Sequence, residues 1–220
     1  MSAYQLVIFD FDGTLCYSKT AVNESVQAAY RYLGKPAPDL KDIEDVLAQG
    51  VKMEDMLRKF SPEADKRTIQ QLLSQYVNIY LVEGEMHSYL FSGVKSLLAQ
   101  LKAALVDVAI VSNKLQVPLD SALSRFEIVN YVKVAVGIQE NGLRKPDPRV
   151  YETAIHPLFP TIKREQILMV GDTVVDLQFA QALSVDACWV SYGHGSPTIC
   201  EVYRPRYVID QVVELNAILL

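Results

Sequence analysis

The sequence predicts an α/β protein: a parallel sheet with helices on its faces and an all-helical cap inserted after the first strand. Three observations point there. Short continuous apolar runs, the mark of strands buried on both faces, recur along the chain. Helical periodicities alternate with them. One stretch, from Ser18 to His87, breaks the alternation with helical periodicity and no convincing strand.

The first strand is Leu6 to Phe9, running straight into Asp10. Val106 to Val111, Val132 to Val136, Ile167 to Val170 and Ala187 to Val190 read the same way, and Tyr207 to Ile209 adds a short edge strand. Between them, Val94, Leu97, Leu98 and Leu101 have the spacing of one helical face; Val150, Ala154, Ile155 and Leu158 repeat it more briefly, and Phe179, Ala182 and Leu183 follow the fourth strand. Strands alternating with helices predict a parallel, Rossmann-like sheet with right-handed crossovers. In the inserted stretch the stripes are Val22, Val26, Tyr30 and Leu33; Ile43, Val46 and Leu47; Met53, Met56, Leu57 and Phe60; and Ile69, Leu72, Leu73, Tyr76 and Tyr80. Gly34, Pro36 and Pro38, then Gln49-Gly50, then Ser61-Pro62 separate them. The expected division is a core of residues 1–15 and 88–220 and a cap of residues 16–87. A chain of 220 residues fits one full domain and a fraction of another.

Composition narrows the function classes. The net charge is −5 and half of the residues are hydrophobic, unlike a disordered chain. No basic footprint suggests nucleic acid, and no apolar run approaches the ~20 residues of a membrane span. No basic segment precedes an apolar region at the start, so no secretory signal is expected. Cys16, Cys188 and Cys200 form no CxxC pair and read as reduced thiols of a cytoplasmic protein.

Chemistry-bearing residues gather at strand ends. Asp10 and Asp12, two apart in Asp10-Phe-Asp-Gly-Thr-Leu15, point to the same side and repel unless a cation lies between them; an all-oxygen site favours Mg²⁺. Gly13 permits the turn. Ser112-Asn113-Lys114 ends the second strand just before a helix, where hydroxyl and N–H groups hold phosphate oxygens or merely cap. The Asn141-Gly142 turn leads to Lys145, a lysine able to neutralise a carboxylate and a phosphate. Gly171-Asp172-Thr173 ends the fourth strand, with Asp176 four residues beyond Asp172; helix capping accounts for Asp172 alone, a metal site for both acids. In a parallel sheet these features meet at one rim, outside the carboxyl ends of the strands.

These four motifs, together with the helical insertion between the first and second, resemble the haloacid dehalogenase superfamily of phosphatases, and the resemblance covers essentially the whole chain. Ser112-Asn113-Lys114, Gly171-Asp172-Thr173, the Tyr192-Gly-His194-Gly195 loop and the late Tyr207-Val-Ile-Asp210 segment are most similar to phosphoglycolate phosphatases. One departure is Lys102-Ala-Ala-Leu105, where the family usually carries a glycine before its second strand. The resemblance implies Mg²⁺-dependent hydrolysis of a small phosphorylated metabolite, 2-phosphoglycolate first. Asp10 would be the nucleophile and Asp12 the general acid and base. Ser112 and the Asn113 amide would hold phosphoryl oxygens, with Lys145 screening charge. The metal would lie on Asp10, the Asp12 backbone carbonyl and Asp172, with Asp176 reaching it through water or orienting the others. The cap would set specificity, with Lys52 and the Gln49-Gly50-Val51 loop as candidates. His87, His156 and His194 are expected to be structural. Alternatives are a phosphomutase, or a phosphatase of nucleotides, sugar phosphates or pyrophosphate. A dehalogenase has no need of Asp12 and Asp172, and a phospho-accepting sensor domain lacks the helical insertion.

Overall fold

The computed structural model describes residues 3–138 and 142–220. Asn141, half of the expected Asn-Gly turn, lies outside the described residues. Six strands form a parallel sheet: β1 (Leu6–Phe9), β4 (Asp107–Leu115), β5 (Val134–Ile138), β6 (Ile167–Gly171), β7 (Asp186–Val190) and β8 (Tyr207–Ile209). Their spatial order is β5-β4-β1-β6-β7-β8, with Phe9 opposite Ile110 on one side and Val170 on the other.

The apolar runs of β1, β4 and β6 have the predicted double burial, while β5, β7 and β8 are only partly buried. Val7 and Phe9, Val108 and Ile110, and Leu168 and Val170 face one core, with α5 (Val94–Ala103) and α6 (Gln116–Arg125) packed on it. Leu6 and Ile8, Ala109 and Val111, and Ile167 and Met169 face the other, beneath α7 (Val174–Leu183) and the turns around Tyr151. Alternation at period two inside an all-apolar run divides one strand between two cores.

Between β1 and β4 lie α1 (Lys19–Tyr32), α2 (Leu40–Leu47), α3 (Met53–Phe60) and α4 (Lys66–Val82). Their stripes close on a separate core of Val22, Val26, Tyr30, Ile43, Met56, Leu57, Ile69, Leu72, Tyr76 and Tyr80. The chain enters and leaves this bundle through a two-stranded antiparallel ribbon, β2 (Cys16–Tyr17) with β3 (Tyr89–Leu90), where Tyr17 stacks on Tyr89. The ribbon was not expected: two residues per strand carry no readable period.

Three other expectations shift. The strand expected at Val132 to Val136 runs from Val134 to Ile138, because a tight turn over Val129–Tyr131 precedes it. β4 runs past Val111 to Leu115 because its pairing with β5 resumes at Leu115, opposite Ile138, beyond a bulge at Ser112–Lys114. The periodicity around Val150 produces a wide turn over Tyr151–Ile155 and a tight one over His156–Leu158 in place of a regular helix. Pro157 lacks the N–H that would continue it. No helix among the described residues is long and apolar enough to cross a membrane.

Candidate active site

The chain builds β1, β4 and β5 outward and then returns to lay β6 on the free side of β1. The crevice at that reversal lies over the carboxyl ends of β1 and β6, from which Asp10 and Asp172 emerge. One oxygen each of Asp10, Asp172 and Asp176 lies within 4.8 Å of the others, and all three residues are buried. Lys145 reaches in from the loop after β5 and donates to Asp10 Oδ1 and Asp176 Oδ1, both at 2.6 Å. Three carboxylates against one ammonium leave the cluster short of two positive charges. A hard divalent cation with oxygen ligands fits that donor set.

Each acid is held by its surroundings. Asp172 Oδ1 accepts from the Thr14 hydroxyl at 3.2 Å, and Oδ2 from the His194 N–H at 2.6 Å. The Trp189 indole donates to the Asp172 carbonyl at 2.7 Å. Asp172 precedes α7 and does not cap it. The cap is Thr173, whose N–H and hydroxyl both donate to Asp176 Oδ2, at 2.9 and 2.8 Å. Asp176 therefore closes the helix with one oxygen and faces Lys145 with the other. Gly13 is constrained twice: its φ is +80°, and a Cβ there would lie 2.2 Å from Asp172 Oδ2.

Burial, then repulsion from its neighbouring acids, pushes Asp10 up to about 8 against the opposing pull of Lys145. Burial and Asp176 push Asp172 up to about 7. Burial acts to lower Lys145, but Asp10 and Asp176 more than reverse it and keep the ammonium charged.

Asp12 stands apart from the three gathered carboxylates. Its oxygens accept from Lys114 Nζ at 3.2 and 3.3 Å, and the same ammonium donates to the Tyr80 hydroxyl at 2.9 Å. Burial would lower Lys114, yet Asp12 and the tyrosines raise it well above the ordinary value. The motif reading quoted Lys114 without a role. The available signal was a lysine three residues beyond the apolar run that ends at Val111.

Ser112 is buried at the cavity floor, and its Oγ accepts from the Lys114 N–H at 3.3 Å, so its own proton is left to donate. The Asn113 side chain is committed elsewhere. Its Nδ2 donates to the Lys145 carbonyl at 3.1 Å and to the Gly50 carbonyl of the cap at 3.0 Å, and its Oδ1 accepts from the Lys145 N–H. Gly50 sits at φ +66°, so close that a Cβ would meet Thr173 Oγ1 at 2.6 Å. The α2–α3 turn thus rests directly on the core. Gly50 and Val51 of that turn line the cavity. Lys52 does not: it pairs with Glu54 at 2.9 Å and Asp55 at 3.6 Å and lines a neighbouring cavity. The His194 ring lines the cavity too, and burial lowers its pKa. The three cysteines are buried and unpaired.

With this geometry in view, the comparisons with known proteins fall on the same ground. The family model described as haloacid dehalogenase-like hydrolase matches residues 7–190. A phosphoglycolate phosphatase of Photobacterium profundum is 27% identical over 218 residues, covering 96% of this chain and 93% of that one. Tyrosine-protein kinase PtkA of Mycobacterium tuberculosis is 30% identical over 191 residues, 87% of this chain; the chain spans 63% of that relative's length. Among solved structures, a haloacid dehalogenase-like family hydrolase of Streptococcus pneumoniae superposes with a TM-score of 0.82 over 99% of both chains at 23% identity, a likeness of fold.

Proposed function

The chain belongs to the haloacid dehalogenase-like hydrolases, on their phosphoglycolate-phosphatase-like side, and from that premise we propose that it is a Mg²⁺-dependent hydrolase of a small phosphate monoester, working through an aspartyl-phosphate on Asp10. The observation that supports this most is the Lys145 ammonium at 2.6 Å from both Asp10 and Asp176, with Asp172 completing the buried trio.

In the first half-reaction an Asp10 oxygen attacks phosphorus, the bond to the ester oxygen breaks, and Asp12 gives that oxygen its proton. In the second, water attacks phosphorus, Asp12 takes the water's proton, and the bond to Asp10 breaks to release phosphate. Lys145 steadies the Asp10 carboxylate and offsets the charge gathering on the phosphoryl oxygens. Ser112 donates its hydroxyl proton to one of those oxygens. Lys114 holds both oxygens of Asp12 in one orientation. Asp10, Asp172 and Asp176 are the residues that would hold the metal, with the Asp12 carbonyl. When bound, the cation neutralises the carboxylates and lets a dianionic ester approach them. The helical bundle serves as the cap, residues 16–87, over a core of residues 1–15 and 88–220, and excludes bulk water through the Gly50–Asn113 contact.

The test is phosphate release from a panel of small monoesters. Activity is expected with Mg²⁺, and its loss with EDTA and in Asp10→Asn. Full activity in EDTA contradicts the metal-dependent scheme. A phosphate-ester isomer formed without free phosphate would make the protein a mutase.

A further inference from the structure

We infer that the ester cleaved at this site has a small, uncharged leaving group, received by an apolar wall and by the Tyr76 hydroxyl. The inference rests on the hydrolase reading and concerns only what the phosphoryl group is attached to.

The cap side of the cavity is made by Val22, Leu47, Val51, Met53, Met56 and Tyr76. These side chains face the site while the cap is down, since the Gly50 carbonyl is then hydrogen-bonded to Asn113. Among the described residues, Lys114 and Lys145 are the only lysines lining the cavity, and no arginine does. Both are committed. Lys145 lies between Asp10 and Asp176, and Lys114 holds the two oxygens of Asp12 and the Tyr80 hydroxyl. Two cap lysines adjoin the turn and neither lines this cavity: Lys52 is paired with Glu54 and Asp55, and Lys59 donates to the Gln49 side chain. A leaving group bearing a carboxylate would be stripped of water against methyl and thioether groups with no cation free to receive it. A neutral carbon fragment gains from the same surface.

Tyr76 adds a polar handle. It is 5% exposed, its ring packs beside Tyr80, and its hydroxyl has no hydrogen-bond partner among the described residues. Burial raises its pKa, so it is a donor at neutral pH. A free hydroxyl on a residue lining the cavity can donate to an acceptor on the ligand, such as an alcohol, carbonyl or amide oxygen.

The experiment compares kcat/KM with Mg²⁺ for 2-phosphoglycolate, for its near-isosteric carboxamide, for n-propyl phosphate, and for acetyl phosphate as a small activated phosphoryl donor. The carboxamide is expected to exceed 2-phosphoglycolate by about tenfold or more, the scale of one unmet charge or hydrogen bond. Tyr76→Phe is expected to lower the carboxamide about tenfold relative to n-propyl phosphate, which has no acceptor at that place. Met53→Lys, at a partly exposed position on the same wall, is expected to shift the preference toward 2-phosphoglycolate. Equal or better turnover of 2-phosphoglycolate by the unaltered protein overturns the leaving-group inference and leaves the hydrolase reading standing. Release of phosphate from none of the four compounds, acetyl phosphate included, overturns the hydrolase reading and this inference with it.

Discussion

Lys114 shows how one residue links the cap to the chemistry. It projects from the bulge of β4, buries its ammonium among Asp12, Tyr76 and Tyr80, and lies 4.1 Å from the centre of the Tyr80 ring. Lys114→Met keeps the volume and removes the charge. That leaves the largely buried Asp12 carboxylate without its partner, a loss on the order of 3 kcal/mol, or roughly 6–12 °C in Tm for a chain of this length. Circular dichroism melts check the stability. Steady-state kinetics are expected to show a fall in kcat larger than any change in KM, because Asp12 loses its orientation while the phosphate-binding groups stay in place. The sequence pointed to Asp10, Asp12, Ser112, Lys145, Asp172 and Asp176 as one rim at strand ends; the structure gathers Asp10, Asp172, Asp176 and Lys145 and sets Asp12 apart on Lys114. The sequence did not make the partners legible. Asp12–Lys114, Asn113–Gly50 and His194–Asp172 join residues 102, 63 and 22 positions apart. Only the folded chain brings such pairs into contact.

At the scale of elements, helices α5, α6 and α7 end alike, each with a non-glycine residue in the left-handed region: Leu105 at φ +59°, Glu127 at +58° and Ser184 at +54°. Each turn is closed by paired backbone bonds. For α5 these are the Val106 N–H to the Leu101 carbonyl at 2.9 Å and the Leu105 N–H to the Lys102 carbonyl at 3.2 Å. Leu105 stands where the resemblance expects glycine, and at 87% exposure its side chain gains little from burial. Leu105→Gly is therefore expected to stabilise the protein by about 1 kcal/mol, or roughly 2–4 °C in Tm. A thermal melt checks it, and unchanged activity is expected, since the turn lies away from the rim. The strands were the most readable elements because burial on both faces removes polar interruptions. The β2–β3 ribbon was unreadable at two residues per strand, and the turns at 151–158 followed an apolar period without forming the regular helix it suggested.

The whole molecule couples folding to charge at the rim. Asp10 and Asp172 carry folded-state pKa values raised above the unfolded carboxylate value, to about 8 and about 7. For an acid with a raised pKa, the unfolded chain releases its proton first as pH increases. The metal-free protein is thus expected to be most stable at mildly acidic pH and to lose stability as pH rises through that range. If the trio holds Mg²⁺ as proposed, the cation binds the ionised carboxylates of the folded chain, and its stabilising effect is expected to grow over the same interval. Melts in EDTA and in Mg²⁺ across pH 5–8 are expected to diverge as pH increases. Curves that stay parallel would mean the trio does not bind the cation. Net charge alone hid this arrangement: in a chain of −5, Lys145 meets Asp10 and Asp176 locally.

The central claim is that Asp10 carries the phosphoryl group, and acid-quench labelling tests it most directly. An Asp12→Asn variant, which lacks the base proposed to activate water, is mixed with Mg²⁺ and radiolabelled acetyl phosphate, quenched in acid, digested and mapped. The label is expected in the peptide containing residues 6–15 and absent when Asp10→Asn is added. Label on any other residue, or undiminished turnover by the Asp10→Asn protein, contradicts the account.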